Sequence, residues 1–180
     1  MNQPIAVLIG PPGAGKSTIA REVAKRLGVG ARDTDLDVEQ ATGRTIADIF
    51  VQDGEAAFRE LEHVAVMAAL AEHDGVLSIG GGAVLDPRTH AALRDHLVIF
   101  LDVRIADAAT RIGFNRDRPL LLGNPRAQWT AMMDLRRPIY EQISTVRVDT
   151  AGRSIGEVTE AVLGVLAQYA DQGDKPAVTP

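Results

Sequence analysis

Two rhythms of apolar residues alternate along this chain. Short runs at residues 5–9, 75–79, 97–101 and 145–148, with a weaker one at 31–33, are rich in Val, Ile and Leu and predict buried strands. Between them the spacing lengthens to three and four. Ile19, Ala20, Val23, Ala24 and Leu27 predict a helix over 16–27 that stops at Gly28. Ile46, Ile49 and Phe50 mark a second helix, and Phe58, Leu61, Val64, Ala65, Ala68 and Ala69 a longer third one. Further helices are expected over 126–140 and over 155–169, the last with Val158, Val162, Leu166 and Tyr169 turned inward. Strands that alternate with helices require crossover connections, which gives a largely parallel sheet with ligands at the carboxyl ends of its strands. Residues 112–125 have no sustained period and combine glycines, asparagines and prolines with Arg116 and Arg118, so a mobile loop is expected there. After residue 170 the composition predicts a disordered tail.

The stretch between the first strand and the first helix reads GPPGAGKS, from Gly10 to Ser17. Gly, four residues and Gly-Lys-Ser is the loop that cradles nucleoside triphosphates. Its glycines let successive backbone N–H groups turn inward, and the helix that follows aims its unpaired donors at the same point. Lys16 is expected on the β- and γ-phosphates and Ser17 on magnesium, with Gly13, Ala14, Gly15 and Thr18 completing the cradle.

Composition narrows the classes. A chain of 180 residues fits one domain, and the absence of cysteine excludes disulfides and thiolate metal sites. A net charge of −5 argues against a basic nucleic-acid face. No stretch approaches the length of a membrane span, so a cytoplasmic protein is expected. His63, His73, His90 and His96 show no ligand spacing.

A phosphate loop alone does not separate a kinase from a GTPase switch or an ATP-driven motor. The Asn-Lys-x-Asp segment of guanine recognition is missing. Asp102, which ends the apolar run VIFLD, resembles the magnesium-associated Asp of motor ATPases but is read as the cap of a buried strand. The acidic candidates lie earlier, in ARDTDLD. If extended, Asp33 and Asp35 would point to one side roughly 7 Å apart, one to hold magnesium and the other to align an alcohol. The competing reading is an acidic cap for the next helix.

GPPGAGKST, DTD, GRTIADIF, GEAAFRELE, LSIGGGAV, RPLL and RRPIY follow one another in the order and approximate spacing of the shikimate kinase family, which this chain resembles from residue 5 to about 158. The resemblance implies a P-loop fold of α/β class: a five-stranded parallel sheet of order 2-3-1-4-5 with flanking helices, substrate-binding helices at about 34–62 and a lid at about 112–125. It also implies transfer of the γ-phosphate of ATP to the 3-hydroxyl of shikimate, with Mg2+ as cofactor, ADP and 3-phosphoshikimate as products, and a monomer with neither nucleic-acid nor membrane partners. Position by position, it places Ser17 and Asp33 on the metal, Lys16 and Asp35 in catalysis, and Gly80, Gly81 and Gly82 against the substrate ring.

Arg59 and Arg137 match the pair that clamps the substrate carboxylate, a task suited to the planar guanidinium fork, while Arg136 is given no part. Arg118 matches the lid arginine that covers the phosphates, and Arg111 and Arg153 match positions beside adenine. Gly152 departs from the more basic forms of that last loop. Phe50 and Phe58 match apolar positions near the substrate, and Trp129 is expected to pack. The competing readings are a gluconate-type or nucleoside monophosphate kinase on the same scaffold, and a regulator that binds ATP without chemistry. Asp35 argues against the last.

Overall fold

The apolar runs become the strands of one sheet. In the computed structural model, which describes residues 3–112 and 124–171, β1 (Ala6–Ile9), β2 (Ala31–Asp33), β3 (Val76–Ser78), β4 (Val98–Asp102) and β5 (Val146–Asp149) lie in the order β2-β3-β1-β4-β5. Every neighbouring pair is parallel, with Ala6 beside Val76, Val7 beside Val98 and Asp102 beside Asp149. This is the expected order. β1, β3 and β4 are buried throughout, whereas the edge strands β2 and β5 expose part of their residues. A sheet buried at its centre on both faces needs helices on each side.

Those helices are α1 (Lys16–Leu27), α2 (Thr34–Thr42), α3 (Ile46–Gln52), α4 (Gly54–Glu72), α5 (Pro87–Leu93), α6 (Ile105–Ile112), α7 (Pro125–Ile143) and α8 (Ile155–Asp171). α1 ends at Gly28 as expected, and α7 is entered through Asn124, whose side chain accepts the Ala127 N–H at 3.2 Å. Val158 and Val162 of α8 are fully buried, and Leu166 and Tyr169 are partly so. No helix among the described residues is long and apolar enough to cross a membrane.

Two cores result. The main one surrounds the sheet; a smaller one joins Val38 of α2, Ile49 of α3 and Phe58 and Ala65 of α4. The three helices between β2 and β3 are therefore held by their own apolar contacts. α4 corrects the sequence reading: its buried residues are Phe58, Glu62, Ala65, Val66, Ala69 and Leu70, while Val64 is exposed. Of the six expected residues Phe58, Ala65 and Ala69 are buried; the inward face also includes Glu62, a carboxylate that an apolar pattern cannot register.

Candidate active site

The first part of the site is the loop between β1 and α1. Gly15 stands at the helix N-cap with φ 86°, a left-handed conformation open to glycine, and Gly13 has φ 85°. Lys16, half-buried, donates from Nζ to the carbonyls of Gly10 at 2.9 Å and Pro11 at 3.3 Å. Burial lowers its pKa, against the attraction of Asp35 and Asp33. A cavity of about 490 Å³ opens above the loop and is lined by Gly13, Ala14, Gly15, Lys16, Ser17 and Thr18 on one side and by Arg111, Arg153, Ile155 and Val158 on the other. All the residues expected to meet nucleotide, apart from Arg118, thus line one cavity. Arg111 also donates to the Gly13 carbonyl at 3.2 Å, and Arg153 to the carbonyls of Asp149 and Glu157. Arg118 lies outside the described residues, as do 113–123 of the expected lid and 172–180 of the expected tail.

The acidic pair is built differently from the extended geometry considered above. β2 ends at Asp33, which is the N-cap of α2, and its Oδ1 accepts the backbone N–H of Asp35 at 3.0 Å. Asp35 sits in the first turn of the helix, so the capping alternative describes the local structure, and capping places Asp35 above the sheet edge. Burial first, then repulsion from Asp33, raises the pKa of Asp35, with Lys16 opposing. Among the described residues no group of three or more His, Cys, Asp or Glu is arranged to hold a metal; Ser17 lines the cavity above the phosphate loop, and Asp33 lies close enough to Lys16 to act on its charge. A hydroxyl and a carboxylate fit magnesium that takes its other ligands from phosphate and water.

The glycine run is where the elements meet. A Cβ on Gly80 would collide with the carboxylates of Glu62 and Asp35, and one on Gly82 with the guanidinium of Arg59. Absence of side chains here makes room for those groups. The N–H of Gly80 donates to Thr34 Oγ1 at 3.1 Å. Gly81 offers its carbonyl to Tyr140 Oη at 2.6 Å and to Arg136 Nη1 at 3.2 Å.

Arg59 is held from two sides. Its Nη1 donates to Glu62 Oε2 at 2.6 Å, and its guanidinium stands 5.2 Å from the Phe58 ring centroid and 6.0 Å from that of Phe50. Glu62 is 2 % exposed; burial raises its pKa, which the Arg59 hydrogen bond opposes. Arg137, the expected partner of Arg59, is engaged elsewhere. Arg137 turns away and makes a two-pronged contact with Asp102, both N···O distances 2.8 Å, whereas Arg136 faces Gly81 and lies close enough to Lys16, Glu62 and Tyr140 to act on their charges. Asp102 likewise is more than a strand cap: it is buried between Arg137 and Arg147.

Sequence reasoning missed Arg136, Glu62, Tyr140 and Thr34. Tyr140, pushed up to about 12 by burial, follows Arg136 by four residues and so shares its side of the helix. Arg137 precedes the same tyrosine by three, so that spacing does not choose between the two arginines.

A family model described as shikimate kinase matches residues 12–167. The shikimate kinase of Streptomyces coelicolor is 53 % identical over 163 residues, covering 91 % of this chain and 95 % of that protein. That of Mycobacterium tuberculosis is 53 % identical over 164 residues, covering 91 % and 93 %. Among solved structures, shikimate kinase from Acinetobacter baumannii in complex with shikimate superposes with a TM-score of 0.86 at 28 % identity, over 94 % of this chain and 95 % of that one.

Proposed function

This chain belongs to the shikimate kinase family, and from that premise we propose that it moves the γ-phosphate of ATP to the 3-hydroxyl of shikimate with Asp35, Arg59 and Arg136 on the acceptor and residues 13–18 on the nucleotide. The observation that carries the assignment of residues is the meeting of Asp35, Glu62 and Arg59 around Gly80 and Gly82 with Arg136 on Gly81. Two carboxylates with raised pKa values, two guanidinium groups and a half-buried lysine suit an alcohol that bears a carboxylate.

Asp35 orients the hydroxyl and accepts its proton late, because a loose transition state asks little of a base. Arg59 and Arg136 hold the carboxylate and so fix which hydroxyl meets Asp35. Lys16 exchanges its loop carbonyls for phosphate oxygens and offsets the charge that gathers on the transferring group. Ser17 and Asp33 would hold magnesium, which supplies neutralisation of the β- and γ-phosphates. Arg111 and Arg153 flank the base, and Arg118 enters this reading from the family pattern alone, as the cation of a lid at 112–125. Residues 34–62 are read as the acceptor-binding segment of a single kinase domain. The proposal includes a monomer, since every assigned residue comes from one chain, and a cytoplasmic enzyme, since it draws on ATP. It includes no nucleic-acid partner, in keeping with the net charge of −5.

The test is ADP release measured with shikimate, gluconate, AMP or no acceptor. ADP release with shikimate alone is expected. Equal release with gluconate, or release that needs no acceptor, would overturn the reading.

A further inference from the structure

Arg136 and Arg137 are adjacent on α7 and both half-buried, on either side of a stripe made by Met133 and Tyr140. Neighbours on a helix point roughly 100° apart, so one rotation of α7 about its axis sends Arg136 toward Gly81 and another would send Arg137 there. Spacing along the helix does not select between these; its contacts do. Trp129 donates to the Pro12 carbonyl and Tyr140 to that of Gly81, and at the end of β4 Asp102, 5 % exposed, receives both prongs of Arg137. Arg147 of β5 donates to the same carboxylate at 2.7 Å, and the Asp102 carbonyl accepts the N–H and hydroxyl of Thr150 at 2.8 and 2.9 Å. The carboxylate is thus rigidly mounted on a central strand and β5. Arg137 also reaches Glu141 at 3.6 Å and lies 6.0 Å from the Phe100 ring, on which Tyr140 stacks.

We propose that Asp102 is a positioning residue for acceptor binding: its grip on Arg137 sets the rotation of α7 at which Arg136 and Tyr140 meet the Gly81 carbonyl. The inference rests on the reading of Arg136 as the carboxylate-binding residue. A charge buried at the end of a strand holds direction well, because a forked pair fixes both distance and plane. The consequence is a sign that separates this role from its rival. Were Arg137 itself a substrate ligand, Asp102 would compete with substrate for it, and loss of the carboxylate would free the arginine and tighten binding. As a positioning residue, Asp102 does the opposite.

The experiment is steady-state kinetics on the full-length protein for Asp102→Asn, Arg137→Gln, Arg137→Lys, Arg147→Gln and Arg136→Ala, with melting temperatures for each. Asp102→Asn and Arg137→Gln are expected to raise the KM for shikimate about five- to tenfold while the KM for ATP stays within about twofold. Arg137→Lys, with one donor point in place of a fork, should fall between them and wild type. Arg147→Gln leaves the fork intact and should leave both KM values near those of wild type. If Asp102→Asn does not fold, Arg137→Gln carries the test, because Asp102 keeps Arg147. A lowered melting temperature with an unchanged shikimate KM in Asp102→Asn and Arg137→Gln would reduce Asp102 to a support of the fold and overturn the proposal; a lowered KM in Asp102→Asn would also overturn it. An unchanged shikimate KM in Arg136→Ala would remove the reading beneath it as well, so the two failures are distinguishable.

Discussion

The indole N–H of Trp129 donates to the carbonyl of Pro12 at 3.1 Å, joining the first turns of α7 to the phosphate loop across 117 residues of chain. The same helix carries Arg136, so one rigid element touches both halves of the site. Trp129→Phe removes the bond and keeps most of the apolar contact. The expected result is a KM for ATP raised about fivefold, the value of one hydrogen bond, with the KM for shikimate nearly unchanged. As the chain has one tryptophan, its emission should change when ADP is added. Emission that is flat through saturation would disconnect Trp129 from the loop.

Asp35 works against the fold at neutral pH. Its pKa is raised by burial and by Asp33, so the unfolded chain gives up this proton at lower pH than the native one. Between the two pKa values the native state holds more protons, and stability falls as pH rises through that window. Asp35→Asn should therefore melt above wild type at pH 7, with the difference vanishing below about pH 4, where the unfolded carboxyl is itself protonated. Turnover of the same variant should drop about 10²- to 10⁴-fold. The acid limb of the wild-type kcat/KM profile, which reports the free enzyme, should lie above the ordinary carboxylate range. A variant that is both less stable and fully active would contradict each half of this account.

Glu62 is expected to act on the acceptor through Arg59. Glu62→Gln keeps a hydrogen-bonding oxygen and should raise the shikimate KM by a factor of about 3, while Glu62→Ala should raise it about tenfold and cost about 1–3 kcal/mol in stability. Calorimetry beside steady-state kinetics separates the two effects. Equal KM values in both variants and wild type would show that Arg59 finds its place without Glu62, on Glu55 and the two phenyl rings.

Gly82→Ala puts a methyl group into the Arg59 guanidinium. A shikimate KM raised about tenfold at constant ATP KM is expected. Gly164 is the control: it lies on the exposed side of α8 with open space around it, and Gly164→Ala should add about 0.5–1 kcal/mol to stability without kinetic effect. Equal kinetics in both variants would refute the crowding argument.

Much of this was legible along the chain. The five strands, the turn at Gly28 and the phosphate loop rest on short-range signals: apolar runs, glycines in left-handed conformations, a lysine at fixed distance from its loop. Arg111 and Arg153 came from the family resemblance. Asp33 and Asp35 were found by position, although the pair proved to be a helix cap and its first turn. Glu62 left no trace because a carboxylate in an apolar stripe looks like surface until Arg59 is seen to fold back onto it.

The chain by itself determined the class of fold and of chemistry, since strand, loop and helix signals act over a few residues and survive without knowledge of the rest. It also brought two neighbouring arginines to the right helix. Which of them faces Gly81 was decided by the tertiary structure alone. That choice depends on a carboxylate 35 positions away, lifted to the end of β4 and buried there, where a charge is costly without partners and takes the fork of Arg137 beside Arg147.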